Sequence, residues 1–129
     1  MRVSSMFPSY RPIVLLLEEV PRRAQTARVL GRADFDVIEV QDTAEALETL
    51  ETRADVDVLL ADIDIAGGLD GLELSRDVHE RWPLLGLVLT SERVRHLSPH
   101  EVPGDGCFLP HPVPADTLVI EVRQAARHC

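Results

Sequence analysis

The sequence predicts an α/β fold: one doubly wound sheet of five parallel strands, ordered 2-1-3-4-5, with helices on both faces and a short or missing fourth helix. Three observations carry this. Short, almost wholly apolar runs alternate with stretches of helical periodicity, the pattern of strands buried on both faces and joined by right-handed crossovers. No segment repeats. The 129 residues are enough for one core but far short of the ~250 that a closed eight-stranded barrel needs, and 2-1-3-4-5 is a common order for an open sheet of this size.

The first strand is Ile13 to Leu17, an unbroken Ile-Val-Leu-Leu-Leu run bounded by Pro12. Residues 1–11 ahead of it read as a flexible leader without the apolar stretch of a secretory signal, and residues 12–129 as one domain. Pro21 to Arg32 places Ala24, Ala27 and Leu30 at helical spacing with arginines on the other side, and Gly31 is positioned to help end that helix. Phe35 to Val40 is short and β-rich. Asp42 with Glu45 resembles a capping box, opening a helix to about Arg53 with Leu47 and Leu50 inward.

Val56 to Ala61 is the third strand and stops at Asp62. Ala66-Gly67-Gly68-Leu69-Asp70-Gly71 reads as a flexible loop. Leu74, Val78 and Trp82 then fall on one face of a helix that Pro83 ends. Leu85 to Leu89, reaching Thr90, is the fourth strand. Between 91 and 106, Pro99, Pro103, Gly104 and Gly106 forbid a long helix, so an irregular crossover is expected where the alternation calls for one. Cys107 to Leu109 is a brief fifth strand, and Pro114 starts a last helix with Leu118, Val119 and Val122 inward.

Composition narrows the function. With 45% hydrophobic residues the chain can pay the entropy of folding. A net charge of −9 repels phosphate backbones and argues against direct nucleic-acid binding. No apolar run approaches the ~20 residues that span a membrane. Cys107 and the terminal Cys129 form no disulfide framework or thiolate metal site. Together these predict a cytoplasmic protein. His79, His96 and His100 lack metal-ligand spacing and read as surface residues, Trp82 as core, and Cys107 as an inert small hydrophobe.

In a sheet of this order, ligands bind beyond the carboxyl ends of the strands, at the switch point between strands one and three. The first strand ends in Glu18-Glu19, the third in Asp62 with Asp64 two residues on, the fourth in Thr90 and the fifth near His111. Any one of these alone is more simply a solvated surface group; their convergence on one edge is not. Carboxylates gathered there need a counter-charge. Mg²⁺ suits them, because it accepts one or two carboxylates plus a carbonyl and keeps its waters. Asp is an established carboxylate nucleophile for phosphate, and Thr90 is placed to donate to a phosphoryl oxygen.

From about Ile13 to Ala126 the chain resembles the receiver domain of response regulators, a flavodoxin-like fold. The resemblance rests on Leu17-Glu18-Glu19, Leu60-Ala61-Asp62-Ile63-Asp64, Gly67, Asp70-Gly71-Leu72-Glu73-Leu74, Leu89-Thr90-Ser91 and Phe108-Leu109-Pro110-His111-Pro112. It implies that Asp62 is the phosphoacceptor, that Glu18 and Glu19 fill the acid-pair positions of a Mg²⁺ site, and that the carbonyl of Asp64 is a further metal ligand. Thr90 would be the switch hydroxyl and Phe108 the aromatic switch residue. Three departures stand out: the acid pair is Glu-Glu, Ala66 replaces a usual proline, and His111 replaces the family's lysine. Histidine has a reference pKa of ~6.5 and is mostly neutral at pH 7 unless its neighbours raise it.

The resemblance implies a non-enzymatic, stand-alone phosphoacceptor domain in phosphorelay signalling. It would be charged by a sensor histidine kinase or a histidine phosphotransfer protein and read by a separate downstream protein, since no residues follow the final helix for an output domain. A homodimer is left open. Two alternatives remain. One is a degenerate receiver acting as a phosphorylation-independent interaction module. The other is a Mg²⁺-dependent phosphohydrolase, because Asp62-x-Asp64 after an apolar strand resembles the haloacid-dehalogenase nucleophile motif.

Overall fold

The computed structural model describes residues 10–65 and 70–127. Most of the leader, the loop residues Ala66, Gly67, Gly68 and Leu69, and Cys129 lie outside the described residues. The elements in chain order are β1 (Ile13–Leu17), α1 (Arg22–Arg32), β2 (Asp36–Val40), α2 (Thr43–Thr52), β3 (Val58–Asp62), α3 (Gly71–Arg81), β4 (Gly86–Ser91), β5 (Cys107–Pro110) and α4 (Ala115–Ala126). All strand pairs are parallel, in the order β2-β1-β3-β4-β5, as the sequence predicts.

Side chains alternate across the sheet, so each strand feeds two cores. Val14, Leu16, Val58, Leu60 and Val88 pack with Leu30 of α1 and with Leu118 and Val122 of α4. Leu15, Leu17, Leu59, Ala61, Leu87 and Leu89 pack on the other face with Leu50 of α2 and with Leu74 and Val78 of α3. The central strands are buried on both faces, which is why they read as continuous apolar runs rather than alternating ones.

The β4–β5 crossover contains only a single 3-10 turn, Pro99–Glu101. It covers the sheet without a helix: Val102 is buried in the core, and Val94 and Leu97 pack against it. Glu101 fastens the turn, its Oε1 accepting from the Ser98 N–H at 2.9 Å and the Ser98 hydroxyl at 2.6 Å. Trp82 lies against the same core with the Arg81 guanidinium 4.4 Å over its ring.

Some boundaries differ from the sequence reading. Helix α2 is capped as expected, Asp42 accepting from the Glu45 N–H at 2.8 Å, but Glu45 reaches back one residue further, to the Gln41 N–H. Gly31 does not end α1; it lies inside the helix. The left-handed residue is Asp34, with φ 70°. The Phe35 N–H bonds the Leu30 carbonyl and the Asp34 N–H bonds that of Gly31, a Schellman closure in which buried Phe35 and Leu30 share one core. Strand β3 runs one residue further than predicted and includes Asp62, which pairs with Thr90. Behind it, Gly71 admits the first turn of α3: a Cβ there would lie 2.9 Å from the Asp62 carbonyl and closer still to the Ile63 Cα.

Candidate functional site

Register builds the site. Leu16, Leu60 and Val88 form one row across β1, β3 and β4 on the α1/α4 face. Two residues further along each strand, on the same face, come Glu18, Asp62 and Thr90. On β5 the equivalent series is Cys107, Leu109, His111, and Leu109 pairs with Thr90. An apolar row is thus followed, one step towards the carboxyl edge, by a row of polar groups. All are shielded from solvent: Glu18 is 2% exposed, Thr90 1% and Asp62 8%.

These groups are not satisfied by one another. Glu18 Oε1, Thr90 Oγ1 and His111 Nε2 are buried without a hydrogen-bond partner. The closest approach of His111 Nε2 to Glu18 Oε2 is 3.9 Å, beyond hydrogen-bond reach. All three border a cavity of about 250 Å³ between α1 and α4, which Arg22, Thr26 and Leu118 also line. Buried polar atoms are normally paired, so three orphans facing one cavity mark it as a place for a polar ligand.

Burial pushes the carboxyl pKa of Asp62 up, and the nearby Asp64 charge adds to this, while the Asp64 N–H, donating to Asp62 Oδ1 at 2.8 Å, opposes it. Glu18 is also pushed up, by burial first and by Asp62, against the Thr26 hydroxyl and Arg22. The sequence left the direction for His111 open. Burial and then Arg22 push its pKa down, and they outweigh Asp62, Glu92 and Asp64, which pull it up. The imidazole is therefore neutral at pH 7 and does not supply the charge of a lysine.

Adjacent or paired acids take different roles. Glu19 is exposed, and its carbonyl accepts from the Arg23 N–H. Asp64 turns its carboxylate away from the row: it accepts from the Ser91 hydroxyl at 2.8 and 3.0 Å, from the Glu92 N–H at 2.8 Å and from the Arg93 N–H at 3.3 Å. Phe108 pairs with Leu89 and packs into the α2/α3 core, on the opposite face from the row. Cys107 is half-buried, and burial with Glu121 pushes its thiol pKa up to about 12, so it is inert as expected.

Sequence reasoning missed Arg22 and Glu92. Arg22, in the first turn of α1, holds Glu92 at the start of the β4–β5 crossover through a 2.8 Å ion pair. The sequence offered no signal to separate Arg22 from the other arginines of that helix. Only the fold shows that its turn borders the same crevice as the crossover.

Among the described residues no three His, Cys, Asp or Glu side chains gather as a ready metal shell. Glu18 and Asp62 nevertheless fit a hard cation. Burial raises both pKa values, the Asp62 charge adds to that of Glu18, and Glu18 retains a buried oxygen without a hydrogen-bond partner. Two carboxylates are enough for an ion that keeps its waters.

No protein-family model matches the sequence. The fold is similar to that of a response regulator receiver protein from Sinorhizobium medicae WSM419, with a TM-score of 0.78 and 26% identity over 90% of this chain and 94% of that one. It is also similar to the signal receiver domain of an HD domain-containing protein from Pseudomonas fluorescens Pf-5, with a TM-score of 0.81 and 21% identity over 92% and 97%. A CheY-like receiver domain protein from Methanospirillum hungatei JF-1 matches with a TM-score of 0.78 and 16% identity over 91% and 94%. The chain thus has the fold of response regulator receiver domains, and such domains match it over most of its length.

Proposed function

We propose that the domain accepts a phosphoryl group on Asp62 in phosphorelay signalling. The observation that carries this is the row of Glu18, Asp62 and Thr90 at the carboxyl edge, with unpartnered buried atoms on Glu18 and Thr90. With Oδ1 held by the Asp64 N–H, Oδ2 is the nucleophile. It attacks phosphorus on a phosphohistidine donor, the P–O bond forms as the P–N bond breaks, and the electron pair leaves with the imidazole nitrogen. Thr90 Oγ1 is available to donate to a phosphoryl oxygen. Glu18 and Asp62, with the Asp64 carbonyl, would hold Mg²⁺, which supplies charge neutralisation when bound. The exposed Glu19 would act from the solvent side.

The donor is a sensor histidine kinase or a phosphotransfer protein, and output is a surface change read by a separate partner. Transfer from a phosphohistidine donor should label wild type and fail in Asp62→Asn. Label on the wild type that survives Asp62→Asn would refute the assignment.

The degenerate reading keeps one specific support, the neutral His111. Transfer to wild type at any pH argues against it. The phosphohydrolase reading needs a second acid beside the nucleophile, and the Asp64 carboxylate is committed to Ser91, Glu92 and Arg93 instead. That geometry argues against it.

A further inference from the structure

A phosphoryl group on Asp62 would bring a charge of about −2 next to the buried Glu18, and the cavity that Glu18, Thr90 and His111 border offers no lysine to meet it. Of the described residues lining it, Arg22 alone carries a permanent positive charge. Its side chain is 32% exposed, so it is partly desolvated yet not locked in packing. It leaves the β1–α1 turn and ends on Glu92, just beyond β4, with Nη2 2.8 Å from Oε2. Strand β3 lies between β1 and β4 in the sheet, so this pair bridges across the end of the strand that carries Asp62. Glu92 is held in place from below, because its N–H donates to Asp64 Oδ2 at 2.8 Å. A guanidinium is suited to this post: its planar fork binds carboxylate and phosphate bidentately, and it stays charged at any relevant pH.

We infer that Arg22 is the cation that receives the phosphoryl oxygens at Asp62, and that Glu92 holds it in reserve and competes with the phosphoryl group for it. This rests on the phosphoacceptor reading of Asp62 given above. The Arg22–Glu92 pair has its carboxylate in solvent and is weak, as such pairs are, so a phosphoryl group carrying more charge in a more buried place displaces Glu92. The role that the sequence offered to His111 thus falls to a residue on the opposite side of the crevice.

The test is labelling by phosphoramidate, a small phosphoryl donor that bypasses any kinase surface, with Mg²⁺ present and folding checked by circular dichroism. Arg22→Gln should slow labelling about tenfold, the loss expected for one charge-assisted contact. Glu92→Gln should speed it severalfold. Because Glu92 acts through Arg22, the double variant should match Arg22→Gln, and Arg22→Lys should fall between. A merely structural pair would make both single variants change labelling in the same direction. That result, or wild-type labelling by Arg22→Gln, or an equal gain from Glu92→Gln with and without Arg22, overturns the inference. Should Arg22→Gln not fold, Glu92→Gln and Arg22→Lys decide: a gain from the first and a loss from the second support the inference, and any other pair of results sinks it. If neither wild type nor Glu92→Gln takes label, or if label survives Asp62→Asn, the phosphoacceptor reading itself fails and the inference falls with it.

Discussion

The two ends of the sheet are built to opposite rules. At the amino end polar groups are closed off in pairs: Asp57 Oδ2 accepts from the Ile13 N–H at 2.8 Å, and Arg11 binds Asp36, Asp34 and the Phe35 carbonyl. At the carboxyl end Glu18, Thr90 and His111 each keep a buried atom without a partner. The sheet is satisfied at the one end and left unsatisfied at the other. A buried polar atom without a partner costs stability. The difference marks the carboxyl edge as the place where a bound ligand would offset the stability lost.

Substitutions at the two ends should therefore move stability in opposite directions. The largest effect belongs to the amino end. Asp57→Ala should cost about 1–3 kcal/mol in urea unfolding, because it strands the Ile13 N–H. A neutral result would break the comparison. At the carboxyl end Glu18→Gln should stabilise by about 1 kcal/mol at pH 7, since it removes a buried charge that has no full partner. The pH dependence gives a second check. The pKa of Glu18 is raised in the fold, so the folded state keeps that proton to higher pH than the unfolded chain. Its contribution is fully present below the unfolded value and is lost as pH rises through the folded one. The advantage of Glu18→Gln should thus shrink on acidification; an advantage constant with pH would contradict the burial argument.

His111 titrates with the other sign. Its pKa is lowered in the fold, so its contribution is present above the unfolded value, ~6.5, and is lost as pH falls through the folded one. His111→Gln should remove that part of the loss on acidification, and a pH profile unchanged by the substitution would count against a buried neutral imidazole. The smallest effect is expected of Thr90→Val, which replaces an unpartnered hydroxyl with a methyl of similar volume. It should leave stability level or raise it by about 0.5 kcal/mol, while weakening phosphoryl binding. A large destabilisation would mean that the hydroxyl serves the fold rather than a ligand.

The sheet was legible because its strands are buried on both faces, and such strands announce themselves as runs such as Ile13–Leu17. The strand ends were legible for the same reason, since the apolar run stops where Glu18, Asp62 and Thr90 begin. The irregular β4–β5 crossover followed from its prolines and glycines. What stayed hidden depends on direction in space. No pattern tells that Asp34 rather than Gly31 takes the left-handed turn, because the closure depends on where Phe35 finds its core. Nor could residue type show that Asp64 faces the crossover, that Phe108 packs on the far face, or that Arg22 reaches Glu92.

The most direct measurement is binding of beryllofluoride, a phosphoryl mimic that needs no donor, in the presence of Mg²⁺, followed by calorimetry and by amide shifts of residues 62–64 and 90–94. A receptive carboxyl edge predicts saturable binding to wild type, shifts confined largely to those strand ends, and none of this in Asp62→Asn. Wild type that stays unchanged at saturating beryllofluoride and Mg²⁺ would contradict the account: the open polar row would then belong to a receiver fold that signals without phosphate.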